Sequence, residues 1–154
     1  YELSYGTLIV TPAPNTRHQA VMVAIAAFLH QRRLPSLRVL AEAELLIRPD
    51  LVKRPDVQVV EENLVGGQSV VGTPSLVVEI LSPATRVIDR TEKLFIYAEA
   101  RIPAYWLVDP DELAITVLEL ENDLYVERAV LHGDMELTVV VPFSVTIRPS
   151  EIFA

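Results

Sequence analysis

The stretch Ser75-Leu76-Val77-Val78-Glu79-Ile80-Leu81-Ser82-Pro83 decides the fold. Five of its residues are apolar and nearly continuous, and Ser82-Pro83 stops the run. Such a segment reads as a central strand covered on both faces, as in sheets with helices packed on them. One residue is out of place. A carboxylate at Glu79 is costly to bury unless it is paired or bound to a cation, although a strand-end glutamate facing solvent or a salt bridge would also account for it.

Working outward, Ser82 to Thr85 turns the chain into a helix expected from about Arg86 to Ala100, and Ala104 to Val108 reads as a second buried strand ending at Asp109-Pro110. On the N-terminal side, Asp56 to Val60 is a strand introduced by Arg54-Pro55, and Arg38 to Ile47 alternates imperfectly. His18 to Arg33 is a helix apolar on nearly every side, capped by Asn15 or Thr16, and so belongs inside the fold. A hairpin around Gly6 opens the chain. A second hairpin pairs Ile115–Glu119 with Leu124–Leu131, and Asp134–Val141 and Ser144–Ile147 are expected to close the sheet. The alternation of helices and strands predicts an α/β fold with a mostly central sheet.

The chain has 154 residues, enough for one domain over 1–154 with its own core. Its 51% hydrophobic content excludes a disordered chain. Without cysteine it has no disulfides, thiolate nucleophile or cysteine zinc site. The longest apolar run, Ala20 to Leu29, is about half a bilayer span, so no membrane partner is expected. No secretion signal is read at Tyr1-Glu2-Leu3, and a preceding segment is left open; the expected location is the cytoplasm. The formal charge of −8, from 13 Lys+Arg against 21 Asp+Glu, argues against a tight duplex binder built on a basic stripe. Local basic density remains in Arg32-Arg33, Lys53-Arg54 and Arg86 with Arg90.

Three features point to chemistry. Asp56, like Glu79, stands beside a turn at the end of an apolar strand; a turn or capping role is the plainer account. Together the two carboxylates could converge on one hard cation, because Mg²⁺ commonly takes one or two protein carboxylates with water and phosphate. On the following helix Asp89, Lys93 and Tyr97 share one face at i, i+4 and i+8. A solvated Asp–Lys pair beside a half-buried tyrosine would give the same spacing, but a helix folding back over the Glu79 strand brings Lys93 to the carboxylates.

These motifs in this order resemble the Uma-type restriction endonuclease family of the PD-(D/E)XK nuclease superfamily. The residues that carry the likeness are Arg54-Pro55-Asp56-Val57, Leu76 to Thr85, Asp89-Arg90 with Lys93 and Tyr97, and Pro103 to Pro110. Tyr1-Glu2-Leu3 with Gly6, and His18, match as well.

The resemblance implies a restriction-endonuclease-like mixed central sheet flanked by helices. It also implies an Mg²⁺- or Mn²⁺-dependent endonuclease that hydrolyses phosphodiester bonds in DNA. Asp56 and Glu79 would hold the metal, with the Ile80 carbonyl as a further ligand and Glu2 as an additional acid reaching the metal or its waters. The superfamily's lysine belongs two residues after the acid, where this chain has Leu81, so Lys93 would be its replacement. His18 would touch phosphate or a metal-bound water, and Tyr97 would orient Lys93 or simply pack in the core. Tyr105, Trp106 and Asp109 are read as structural. Cutting two strands with one centre per chain implies a homodimer. The competing readings are a nuclease-fold binding or assembly module that does not cleave, favoured by the acidic charge and the displaced lysine, and a hydrolase of RNA or a nucleotide.

Overall fold

The computed structural model describes residues 1–154. Its backbone is a six-stranded mixed sheet with cover on both faces. In chain order, β1 (Glu2–Ser4) and β2 (Thr7–Ile9) form the opening hairpin, and α1 spans Thr16–Arg32. Next come β3 (Leu37–Ala41), β4 (Leu45–Arg48), β5 (Leu51–Lys53), β6 (Val57–Glu61), β7 (Val70–Val71) and β8 (Leu76–Ile80). Two short helices follow, α2 (Arg86–Arg90) and α3 (Glu92–Glu99). The remainder is β9 (Ala104–Asp109), β10 (Ala114–Glu121), β11 (Leu124–His132), β12 (Leu137–Val139), β13 (Val145–Ile147) and α4 (Pro149–Ile152).

The main sheet runs β11-β10-β9-β8-β6-β3. Only β8 and β9 are parallel in it; the chain returns between them through α2 and α3, as a parallel connection requires. The apolar run is therefore an interior strand, as expected, and all five of its residues are buried. Strand period two then divides its side chains. Leu76, Val78 and Ile80 join Val21, Ile25, Phe28 and Leu29 of α1 in one cluster. Val77 and Leu81 join Ile96 and Tyr97 of α3, and Leu45 and Leu51 of a second, five-stranded sheet ordered β2-β1-β5-β4-β7, in another. No helix is long and apolar enough to cross a membrane.

Several expectations are corrected in detail. The segment 38–47 is not one strand. Glu42 adopts a left-handed backbone with φ 53°, and β3 and β4 part there into different sheets. The helix expected over 86–100 breaks at Thr91, whose backbone leaves helical geometry and whose hydroxyl donates to the Val87 carbonyl, a local bond that competes with helix continuation. The strands β12 and β13 pair with each other and do not extend the main sheet. Their apolar residues Val139, Val145 and Ile147 are satisfied by packing into the α1 cluster instead.

Candidate active site

The register of the main sheet brings the two carboxylates together. Strands β6 and β8 are antiparallel, with Val57 opposite Val78 and Gln58 opposite Val77. Continuing that ladder by one residue sets Asp56 opposite Glu79, and opposed residues share a face. Accordingly the Ile80 N–H donates to Asp56 Oδ2 at 2.7 Å. Glu79 lies on the α3 side of the sheet, between Val77 and Leu81. Leu81, two residues after Glu79, is 2% exposed and packed with Tyr97 and Ile96, so that position is part of the core here.

The lysine arrives from α3. Lys93 Nζ lies 3.0 Å from Glu79 Oε1, and the Tyr97 hydroxyl donates to the same oxygen at 2.7 Å. Lys93 is also 3.1 Å from Asp89 Oδ1 and 3.7 Å from Glu2 Oε1. Glu2 comes from β1, and its Oε1 accepts the Arg54 N–H at 2.9 Å. His18 stands in the first turn of α1, where Asn15 caps the helix by accepting the His18 N–H. The imidazole Nε2 is 3.4 Å from Asp56 Oδ2, a charge contact more than an aligned hydrogen bond, and its Nδ1 is buried without a partner.

Glu2, His18, Asp56, Glu79, Ile80 and Lys93 all line one cleft of about 460 Å³. Tyr97 stands behind it, fully buried, and meets Glu79, not Lys93. Every residue singled out in the sequence thus reaches the same place, Tyr97 from the core side.

The charge balance of the cleft is uneven. Four carboxylates, Glu2, Asp56, Glu79 and Asp89, surround the ammonium of Lys93 and the ring of His18. Burial pushes the Glu79 carboxyl well above its ordinary value, against the pull of Lys93, and the neighbouring charges of Asp56 and Asp89 add to the rise. Burial likewise raises Asp89. Burial alone would lower Lys93, but Glu79, Asp89 and Glu2 outweigh it and hold the ammonium raised. His18 is raised chiefly by its contact with Asp56, with the Ile80 carbonyl also beside the ring. All four shifts favour proton uptake, which is the signature of a centre short of positive charge.

That shortage fits a divalent cation. Asp56 Oδ1 and Glu79 Oε2 carry no hydrogen bond, because each acid takes its donors on the other oxygen. No three His, Cys, Asp or Glu side chains converge to hold an ion alone. An ion here would therefore take the two carboxylates with carbonyl and water oxygens, the hard-ligand set that suits Mg²⁺ or Mn²⁺.

The sequence reading missed two buried charges. Asp89 is 1% exposed, not one half of a solvated pair; its i, i+4 spacing to Lys93 was visible, its burial was not. Lys53 is 2% exposed, although it looked like surface basic density beside Arg54. Its signal was the alternation of Leu51-Val52-Lys53, which puts Lys53 on the buried face of Leu51. Much of the remaining basic density is used locally. Arg32 pairs with Glu151, Arg54 Nε donates to the Glu42 carbonyl, and Arg86 pairs with Asp109.

Asp109 is a structural anchor, in line with the sequence reading. It accepts from Arg86 and from the N–H groups of Asp111 and Glu112, closing the turn after β9. Burial would raise its carboxyl, but these donors outweigh burial and hold it below the usual range. A depressed acid stabilises the fold above its unfolded pKa and loses that contribution as pH falls through the folded value. Asp109→Ala is expected to cost ~2–3 kcal/mol at pH 7, read from urea midpoints, with the deficit against wild type shrinking below about pH 4. An equal deficit at pH 3 and pH 7 would contradict this account.

Comparisons with known proteins bear on the family and the fold. A family model described as "Uma2: Putative restriction endonuclease" matches residues 1–149. A crystal structure of a "putative nuclease belonging to DUF820" from Anabaena variabilis superposes with a TM-score of 0.82. It is 20% identical, and the match covers 99% of this chain and 88% of that one. At that identity the likeness is one of fold. No curated protein matches the chain.

Proposed function

Since the chain belongs to the Uma2 family of nucleases, we propose that it is a metal-dependent endonuclease acting on phosphodiester bonds of DNA. The observation that carries this reading is the meeting of Asp56 and Glu79 across the β6–β8 ladder, with Lys93 Nζ 3.0 Å from Glu79.

Asp56 and Glu79, with the Ile80 carbonyl, are the groups that would hold Mg²⁺ or Mn²⁺. Bound there, the ion would supply Lewis-acid polarisation of a phosphoryl oxygen and a water of lowered pKa. The rest is the work of side chains. Lys93 remains an ammonium and offers a fixed positive charge to the pentavalent phosphorus centre as negative charge develops. Tyr97 occupies the second lone-pair direction of Glu79 Oε1 and so fixes which oxygen is free. His18 braces Asp56 from the α1 side. Asp89 holds Lys93 from α2, across the break at Thr91. Glu2 faces Lys93 across 3.7 Å, close enough to share its charge or to meet a water in the cleft. With one centre per chain, a homodimer would let both strands be cut in one encounter.

The raised Glu79 gives this reading a pH signature. A proton on Glu79 competes with the cation, so affinity should rise with pH and binding should release protons. Calorimetry of Mn²⁺ binding in buffers of different ionisation enthalpy is expected to show net proton release that declines as pH rises. Supercoiled plasmid should be cut with Mg²⁺ or Mn²⁺ and left intact after chelation. Cleavage that persists undiminished in excess chelator would overturn the metal dependence.

A second reading has its own support. The acidic cleft and the locally paired arginines also suit a nuclease-fold binding or assembly module. Failure of Asp56→Ala and Glu79→Ala to alter divalent-ion binding would favour it.

A further inference from the structure

Lys53 is the other buried ammonium, and the proposed mechanism does not use it. It comes from β5 in the second sheet, is 2% exposed, and does not line the cleft. Its Nζ lies 3.2 Å from Ser4 Oγ, 3.8 Å from Glu2 Oε2 and 3.8 Å from Glu92 Oε1. Glu2 therefore turns one oxygen toward Lys53 and the other toward Lys93. Charges alternate along the line Glu92, Lys53, Glu2, Lys93, Glu79, from the half-exposed start of α3 to the floor of the cleft.

We propose that Lys53 is a positioning residue that holds Lys93 against Glu79 by taking up the charge of Glu2. A buried ion pair is often no more stabilising than an apolar pair of the same volume, so Lys53 is poorly explained as mere filling between β1 and β5. Distances then show what it does. Lys93 is 3.0 Å from Glu79 and 3.7 Å from Glu2, so at equal dielectric the pull of Glu2 is only about a fifth weaker. That margin is small. With Lys53 present, the Glu2 charge is shared between two ammoniums; without it, the full carboxylate draws Lys93 back toward β1 and away from Glu79. A simple strut would have no such effect on Lys93 and is not needed, since the Ser4–Glu92 hydrogen bond at 2.6 Å already ties β1 to α3 and the Leu3–Val52 ladder pairing ties β1 to β5.

The inference rests on the nuclease reading for its kinetic readout, and a spectroscopic readout separates the two. Lys53→Met, Glu2→Gln and the double variant are made in the full chain. Their Lys93 ammonium is followed by ¹⁵N–¹H correlation, and their plasmid cleavage by kcat and by KM for DNA. Lys53→Met is expected to shift the Lys93 signal and to lower kcat by about 10-fold to 100-fold, the range for a group that orients a direct participant, with KM changed less than about two-fold. Because Lys53 acts through Glu2, the double variant should be no slower than the slower single variant, and its Lys93 signal should match that of Glu2→Gln alone. Multiplying kcat losses, or a Lys93 signal untouched by Lys53→Met, would overturn the proposal. Should Lys53→Met not fold, Lys53→Arg against Lys53→Gln makes the same comparison: the arginine, which keeps the charge, should hold the Lys93 signal nearer to wild type, and equal displacement by both would overturn it. A wild-type chain that cuts no plasmid would count against the nuclease reading alone, leaving the Lys93 signal to decide for or against Lys53.

Discussion

Glu79→Gln is expected to abolish cleavage while leaving the fold at least as stable as wild type. The activity loss should be about 10³-fold, the upper end of what removing one preorganised charge costs. Asp56→Asn should lose as much, since the two acids face each other across one ladder and neither can replace the other. The stability half of the prediction comes from burial. A carboxyl whose folded pKa is raised is harder to ionise in the fold than in the unfolded chain. Its ionisation therefore costs stability once pH passes the unfolded value of about 4.3. Glutamine keeps the shape and removes that cost. It also weakens Lys93, but Lys93 retains Asp89 at 3.1 Å, so the ammonium is not stranded. Urea midpoints at pH 8 should thus be equal or higher for Glu79→Gln. The advantage should vanish near pH 4, where glutamate is protonated in both states. A variant that is inactive because it unfolds would contradict this, and so would one that is stable and still cuts. Functional carboxylates held at a cost to the fold are the usual trade between activity and stability.

What the chain reveals before folding follows from which signals are local. The strand around Glu79 was readable because covering it on both faces demands an unbroken apolar run, and that demand is written in consecutive residues. The hairpin at Leu124 and the helix from Thr16 are local in the same sense. The pairing of Asp56 with Glu79 is not. It depends on the β6–β8 register, which nothing between the two residues specifies; residue type and position made their convergence conceivable, and the family likeness made it an expectation. Periodicity grouped Asp89, Lys93 and Tyr97, and Lys93 still meets Asp89 across the break between α2 and α3, yet periodicity says which residues share a face and nothing about what covers it. The same limit hid Lys53, whose neighbour Arg54 made it look like surface charge. The break at Thr91 turns on one side-chain hydroxyl choosing the Val87 carbonyl, a choice that helix propensity does not encode. The small sheet of β12 and β13 was misjudged because its apolar residues are equally well satisfied by lying over a core as by extending a sheet.

Lys93→Met should be the most damaging single change in the cleft, and its damage should depend on pH. Lys93 is 6% exposed, and its ammonium has carboxylates at 3.0, 3.1 and 3.7 Å. Removing it leaves Glu79, Asp89 and Glu2 facing one another, and breaking a buried charge network in this way costs about 3–5 kcal/mol. The loss cannot be uniform across pH. In wild type the folded pKa of Lys93 is raised, so its stabilisation is fully present below the unfolded value of about 10.4 and fades as pH climbs through the folded one. In the variant, Glu79 and Asp89, already raised, are pushed further up and take protons in place of the ammonium. Near pH 5 those protons neutralise the cluster and the deficit should be small. Near pH 8 those acids either ionise beside one another or keep protons that the unfolded chain has shed, and either way the deficit should be larger. Urea midpoints of the two proteins should therefore converge on acidification, whereas a methionine that merely fitted badly would cost the same at both pH values. Cleavage should stay at background throughout, because low pH repairs the charge balance without returning a cation to the phosphate. Arginine should not rescue it: the guanidinium is planar and forked, and the space between Glu79, Asp89 and Glu2 is shaped around a compact ammonium. Restoration of stability at pH 5 without restoration of cleavage is the result that would separate the two roles of Lys93, holding the acids together and offering its charge to the reaction.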